Sequence, residues 1–270
     1  MSVDRRRFLE TAGFAVLAIG SGAALRSALA RPGPASKPAS QPAPRPASQP
    51  AAAGALHGTR WALLVDTTRC RARAGCRDCS VACHAAHNVP ALPDARHEVK
   101  WIWTESFRHT FPEAEHEFLA AEVMERPVTL LCNHCENPPC VRVCPTKATW
   151  KRADGIVAMD WHRCIGCRFC VVGCPYGARS FNWRDPRPFL KEQNAAFPTR
   201  TRGVVEKCNF CEERLAQGLL HACVGACPPR ALVFGDLDEA DSEIRRVLRS
   251  ARTLRRKPAL GTAPKVFYVV

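Results

Sequence analysis

Cys164-Ile165-Gly166-Cys167-Arg168-Phe169-Cys170-Val171-Val172-Gly173-Cys174-Pro175 decides how the rest of this chain is read. Its spacing is C-x2-C-x2-C-x3-C-P. Three thiolates so close in sequence wrap one loop around a [4Fe–4S] cubane, and Gly166 permits the tight turn between the first two donors. The chain then enters a helix, and Cys174 lies too far along it to close the same cubane, so it ligates a second one. Pro175 has no N–H to offer and breaks the pattern that precedes it.

Outward from this run, the sixteen cysteines fall into four groups with none left over. The others are Cys70, Cys76, Cys79, Cys83, then Cys132, Cys135, Cys140, Cys144, and last Cys208, Cys211, Cys223, Cys227. The second group widens the gap between its second and third thiols around Asn137-Pro138-Pro139; the fourth inserts eleven residues there. Both end in Cys-Pro. The first departs, with five residues between Cys70 and Cys76 and His84 after Cys83. Only 7% of residues are aromatic and two are Tyr, so burial alone explains the fold less well than burial plus cross-links.

Zinc and disulfides are the competing readings. Zinc takes four donors from two separated pairs, which suits the fourth group alone; three near-contiguous thiolates with a remote fourth suit a cubane better. Disulfides suit an oxidising compartment, but cysteines two apart on a turn are a poor framework for a large domain. Covalent haem is disfavoured, since no C-x2-C is followed by His. The nine histidines have no ligand-like company in the sequence; His134 and His162, beside cluster cysteines, read as supporting or surface residues. The six tryptophans, Trp61, Trp101, Trp103, Trp150, Trp161 and Trp183, read as packing residues.

Short strands and helices are expected between the groups. Residues 149–152 and 156–160 flank an Asp-Gly turn as a hairpin; 99–103, 123–131 and 231–234 are strand candidates. Ile244, Val247, Leu248, Ala251 and Leu254 recur at helical spacing among seven basic residues, a helix suited to an acidic partner or lipid head groups, or simply solvated. The expected class is α+β: two interleaved ferredoxin-like halves with long loops, stitched by their clusters. The expected divisions are 1–30 leader, 31–55 tether, 56–240 cluster domain and 241–270 basic helix and tail.

The leader reading rests on Asp4-Arg5-Arg6-Arg7-Phe8-Leu9-Glu10, a weakly apolar run to Leu25 and Ala28-Leu29-Ala30, which together read as a twin-arginine export signal cut after Ala30. The apolar run is too short to span a bilayer. Residues 31–55, RPGPASKPASQPAPRPASQPAAAGA, contain no large apolar side chain and read as a polyproline-and-coil tether. The 39 basic residues against 25 acidic ones suggest nucleic acid at first sight. Seven basic and two acidic residues lie in 1–55, leaving a formal +9, which four clusters at about −2 each nearly cancel. With export, nucleic acid is not expected as a partner. The destination expected is periplasmic, with membrane attachment through partners.

Over residues 60–235 the four-group pattern resembles the four-cluster electron-transfer subunits of molybdenum reductases and related membrane quinone complexes. More narrowly, the twin-arginine start, His87-Asn88-Val89-Pro90, Glu98-Val99-Lys100-Trp101-Ile102-Trp103, CNHCENPPCVRVCPTKATWKRADGI and CPYGARSFNW resemble the periplasmic iron–sulfur subunit of the Dsr-type transmembrane complex of dissimilatory sulfur metabolism. Similar exported subunits serve nitrite, polysulfide and tetrathionate systems.

The resemblance implies the ligand sets. Cys70, Cys76, Cys79 and Cys227 would hold one cluster, and Cys83, Cys208, Cys211 and Cys223 the next. Cys132, Cys135, Cys140 and Cys174 would hold a third, and Cys144, Cys164, Cys167 and Cys170 the fourth. It also implies two partners, a quinone-handling integral membrane subunit and a cytochrome or reductase subunit. The expected function is one-electron relay, tuned by spacing, burial and charges such as Arg142 and Arg168. No acid, base or nucleophile constellation is visible, so independent catalysis is not expected. The other expectations are a relay subunit of an exported molybdenum reductase, and an exported binding module stabilised by zinc or disulfides.

Overall fold

The computed structural model describes residues 54–71 and 75–270. The expected leader and all but the last two residues of the expected tether lie outside the described residues.

The continuous apolar run 61–65 lies in β1 (Trp61–Asp66), one of the two inner strands of a four-stranded sheet. Both its faces are covered, which is why it reads as an unbroken run rather than an alternation. Beyond it come two-stranded ribbons: β2 (Ile102–Ser106) with β3 (Pro127–Leu131), β4 (Thr149–Lys151) with β5 (Val157–Met159), and β6 (Ser180–Phe181) with β7 (Val205–Glu206). The sheet is completed by β8 (Leu232–Asp236), β9 (Thr253–Leu254) and β10 (Val266–Val269), in the order β8-β1-β10-β9. Leu63 faces Phe234 across an antiparallel pair and Val266 across a parallel one.

Because side chains alternate along a strand, β1 serves two cores. Ala62 and Leu64 pack with Val233 and Ile244 on one side, while Trp61, Leu63 and Val65 join the larger core that includes Cys83, Cys132, Cys135, Cys208 and Cys223. That second face seats the cysteine loops.

The hairpin forms as expected, closed by Arg152 and Ile156 and by Gly155 at φ 81°. Two strand candidates shift. The ladder of the 99–103 candidate starts only at Ile102, because the Lys100 N–H donates to Ser180 Oγ at 2.8 Å instead of to a strand. In the 123–131 candidate, Ala121–Met124 is a helical turn and pairing begins at Pro127, where a strand tolerates a missing N–H.

The basic C-terminal stretch changes most. Its helix spans Glu243–Ser250 only; Ala251 is extended and Leu254 belongs to β9. Helical periodicity continues in the sequence, but pairing of β9 with β10 overrides it. Ile244, Val247 and Leu248 lie against the sheet, so the helix's apolar face is already used and Arg246 and Arg249 remain outside. Residues 241–270 therefore contribute two of the four strands and are not an appendage to a domain ending at 240. No helix among the described residues is long and apolar enough to cross a membrane.

Candidate iron–sulfur centre

The cysteine loops share a local geometry. In the C-x2-C turns of the second, third and fourth groups, the residue before the second cysteine is left-handed: His134 at φ 40°, Gly166 at 69° and Phe210 at 56°. In the second and third groups each turn leads to a single turn of helix bearing the third cysteine, Cys140 in Pro139–Arg142 and Cys170 in Phe169–Val172; in the fourth a further helical turn, Glu212–Leu215, comes before Cys223 in Ala222–Gly225. The fourth cysteine follows four residues on, then Pro. Next the backbone reverses through another left-handed residue, Lys147, Gly177 or Arg230, whose N–H bonds the cysteine carbonyl at 3.3, 3.4 and 3.1 Å.

The first group lacks the proline after its last thiol, so the helix Asp78–Ala86, α1, runs on past Cys83. Cys70 lies in the helical turn Thr67–Arg71, Cys76 is exposed, and residues 72–74 between them lie outside the described residues.

Folding brings the first group to the fourth and the second to the third. α1 packs on Ala222–Gly225, and Pro139–Arg142 packs on Phe169–Val172. The electrostatic neighbours of the thiols follow. Cys70 feels Cys76 and Cys227, and Cys79 feels Cys70 and Cys227. Cys83 feels Cys208, Cys211 and Cys223. Cys135 feels Cys132, Cys140 and Cys174, and Cys170 feels Cys164. Further couplings cross between these sets: Cys79 with Cys83 and with Cys223, Cys132 with Cys208, and Cys140 with Cys170.

All sixteen thiols are free. Burial, with thiolate repulsion added, raises the pKa of several of them: Cys79 is pushed up to about 11, Cys135 and Cys208 to about 12, and Cys211 and Cys223 further. Such sulfurs stay protonated at neutral pH unless a cation takes the proton's place. A cavity is lined by Cys132, Cys135, Cys140 and Cys174 with Pro138 and Tyr176. Four convergent sulfurs in an apolar wall with no carboxylate fit a cluster rather than a hard cation.

The supporting side chains divide differently from expectation. His134 is fully buried, accepts the Val157 N–H at 3.0 Å on Nδ1 and stacks on Phe210 at 3.8 Å; His162 is exposed. His87, without ligand-like company in sequence, has Nε2 3.0 Å from Glu213 Oε1 and lies in one cluster of donor atoms with Cys211. Among the tryptophans, Trp61, Trp101 and Trp103 are core residues and Trp183 is exposed. Arg142 and Arg168, the two charges singled out in sequence, are exposed; Arg168 lies over Phe181 and Trp183. A buried guanidinium was missed: Arg179 donates to Cys140 Sγ at 3.2 Å.

Residues 126–187 and 163–231 each match a family described as a 4Fe-4S dicluster domain. The chain is 44% identical over 229 residues to Hdr-like menaquinol oxidoreductase iron-sulfur subunit 1 of Archaeoglobus fulgidus, covering 77% of this chain and 82% of that protein. It is 38% identical over 213 residues to the second-lettered (B) component of tetrathionate reductase of Salmonella typhimurium, covering 78% and 72%. To the corresponding B component of polysulfide reductase of Wolinella succinogenes it is 37% identical over 196 residues, covering 72% and 87%.

Proposed function

This protein belongs to the family of iron–sulfur electron-transfer subunits built on 4Fe-4S dicluster domains, and from this premise we propose that it holds four clusters in one continuous row. Members of this family carry electrons for menaquinol-linked and related reductases and are not their catalytic subunits. The bound clusters supply the one-electron couples; the chain holds them, keeps water away and sets their order.

The order is carried by one observation, the cross-group neighbours of the thiols. Cys70, Cys76, Cys79 and Cys227 would hold the first cluster, and Cys83, Cys208, Cys211 and Cys223 the second. Cys132, Cys135, Cys140 and Cys174 would hold the third; for the fourth, Cys164 neighbours Cys170, and Cys144 and Cys167 would complete the set by the family resemblance. The couplings of Cys79 with Cys83, Cys132 with Cys208 and Cys140 with Cys170 then join consecutive clusters, and the two halves interleave. Anaerobically purified protein is expected to contain about sixteen iron and sixteen acid-labile sulfide atoms per chain. Cys167→Ser is expected to remove or convert one cluster; unchanged iron and an unchanged electron paramagnetic resonance spectrum would refute the ligand sets.

The same reading extends to setting. Export through the Arg5-Arg6-Arg7 leader would place the protein in the periplasm, on a quinone-handling membrane subunit and beside a cytochrome or reductase, in a Dsr-type complex of sulfur metabolism. The 44% identity to a menaquinol oxidoreductase subunit, against 38% and 37% to the tetrathionate and polysulfide reductase components, favours this over a molybdenum reductase. Copurification with a membrane subunit and a cytochrome supports it; copurification with a molybdenum protein overturns it. Replacing Arg5, Arg6 and Arg7 by Lys is expected to retain the protein in the cytoplasm, and undiminished export would refute the leader.

A further inference from the structure

Arg179 is 4% exposed, and no carboxylate among the described residues lies within ion-pair distance of it. One Nη2 contact is Thr149 Oγ1 at 2.8 Å and an Nη1 contact is Met159 Sδ at 3.4 Å, both neutral; the remaining one is Cys140 Sγ at 3.2 Å. A guanidinium stays charged at any ordinary pH, and a buried charge without a counter-ion is costly. The available anion is sulfur. Arg179 also lines the cavity of the third cluster and acts electrostatically on Cys170, a ligand in the fourth set.

We propose that Arg179 sets the reduction potentials of the third and fourth clusters, lifting both relative to the first and second through its position between Cys140 and Cys170. This rests on the cluster reading above. Reduction adds negative charge to a cluster whose thiolates already make it anionic, so a fixed cation donating to a ligand sulfur favours the reduced form. Among the described residues no other guanidinium or ammonium donates to a cysteine sulfur: the contacts are Thr129 beside Cys70, Thr146 beside Cys144, the N–H groups of Phe210 and Ala231 toward Cys208 and Cys227, and the His87 ring 3.7 Å from Cys83, while the buried Lys207 ammonium next to Cys208 donates to the Val157 and Cys208 carbonyls.

The local repeat explains how the cation gets there. Gly177, at φ 65°, reverses the backbone after Cys174-Pro175; Ala178 is buried, and residue 179 comes inward beside β4. The residues five beyond Cys144 and Cys227 in the same repeat are Thr149 and Leu232, both uncharged. One repeat of the three therefore carries a charge where the others carry none.

The test is an anaerobic redox titration followed by electron paramagnetic resonance, with iron and sulfide counted in every sample. Arg179→Gln is expected to lower the reduction equilibrium constant of two of the four transitions by about tenfold or more, about 59 mV for a one-electron couple. The other two should stay in place. Arg179→Lys, which keeps the charge but not the planar fork, is expected to recover part of the shift. With full iron, unmoved midpoints or an equal shift of all four overturn the assignment. Should Arg179→Gln lose iron, Arg179→Lys decides: a lowered pair supports the role and an unmoved pair refutes it. Wild-type protein devoid of iron and sulfide would sink the cluster reading itself.

Discussion

Glu206 is expected to hold the cluster domain closed, and its loss to be felt as faster unfolding. Its side chain is completely buried, as is that of Arg200, and the two form an ion pair at 2.6 Å. Glu206 also accepts the Trp101 indole N–H at 2.8 Å and an Asn182 amide N–H at 2.5 Å. Arg200 donates in addition to the carbonyls of His87 and Asn88, so the network ties the end of α1 to β7, one residue before Lys207 and two before Cys208. Removing one partner of a buried pair strands the other, at about 3–5 kcal/mol. In Glu206→Gln this is about a hundredfold to a few thousandfold in the unfolding rate, provided that the network forms after the transition state. The readout is bleaching of the visible cluster absorbance in anaerobic guanidinium. A double change, Glu206→Gln with Arg200→Met, should regain most of the loss, because no charge is then left stranded. Bleaching of Glu206→Gln within threefold of wild type, or a double variant no slower than the single one, would refute this account.

Three further outcomes follow from the same geometry. Gly166→Ala is expected to cost one cluster's iron, since its Cβ would lie 2.2 Å from the Gly203 carbonyl oxygen at φ 69°; Gly225→Ala, with nothing within 4 Å, should keep full iron. Asn88→Ala removes donors to the Asn194 and Phe197 carbonyls, at 2.9 and 2.6 Å, and should lower stability by about 1–3 kcal/mol in the bleaching assay. Burial depresses His221 to about 3, so the unfolded chain gains a proton near pH 6.5 that the folded one refuses. The stability this residue contributes is full above pH 6.5 and is lost as pH falls toward 3. His221→Phe should flatten the rise in bleaching rate between pH 6.5 and 4, and an unaltered slope would refute the assignment.

Legibility tracked locality. The third cysteine run and the Asp-Gly hairpin are decided within a dozen residues, and both appear where the spacing puts them. The start of β2 depends on Ser180, eighty residues on, which captures the Lys100 N–H. The end of the basic helix depends on β10, which pairs with β1 two hundred residues away. Arg179 and His87 escaped for the same reason. An arginine after C-P-Y-G-A looks like any surface cation until β4 and the cavity of the third cluster close over it, and His87 meets Glu213 only after α1 reaches the fourth group.

The departures from glycine in the cysteine turns have a physical reason that also lies outside local sequence. Gly166 takes its left-handed conformation without strain, whereas His134 and Phe210 do so at about 1–2 kcal/mol each. Those two side chains are stacked on each other at 3.8 Å, and His221 and Phe234 extend the ring cluster. The stack sits where Cys132 meets Cys208, the junction of the two inner cysteine sets. Elsewhere along the row the chain itself runs from one set to the next over four residues: Cys79 to Cys83 within α1, and from the helical turns holding Cys140, Cys170 and Cys223 to Cys144, Cys174 and Cys227 just past them. At the middle no such segment crosses, and the halves are joined by packing and by side-chain bonds such as Lys207 to the Val157 carbonyl and Arg152 to Glu212 at 2.8 Å. A glycine in either inner turn would leave a gap there for water. Buried rings, each covering about 150–250 Å², offset the strain by closing that gap, so the two strained turns and the one noncovalent junction of the row have the same cause.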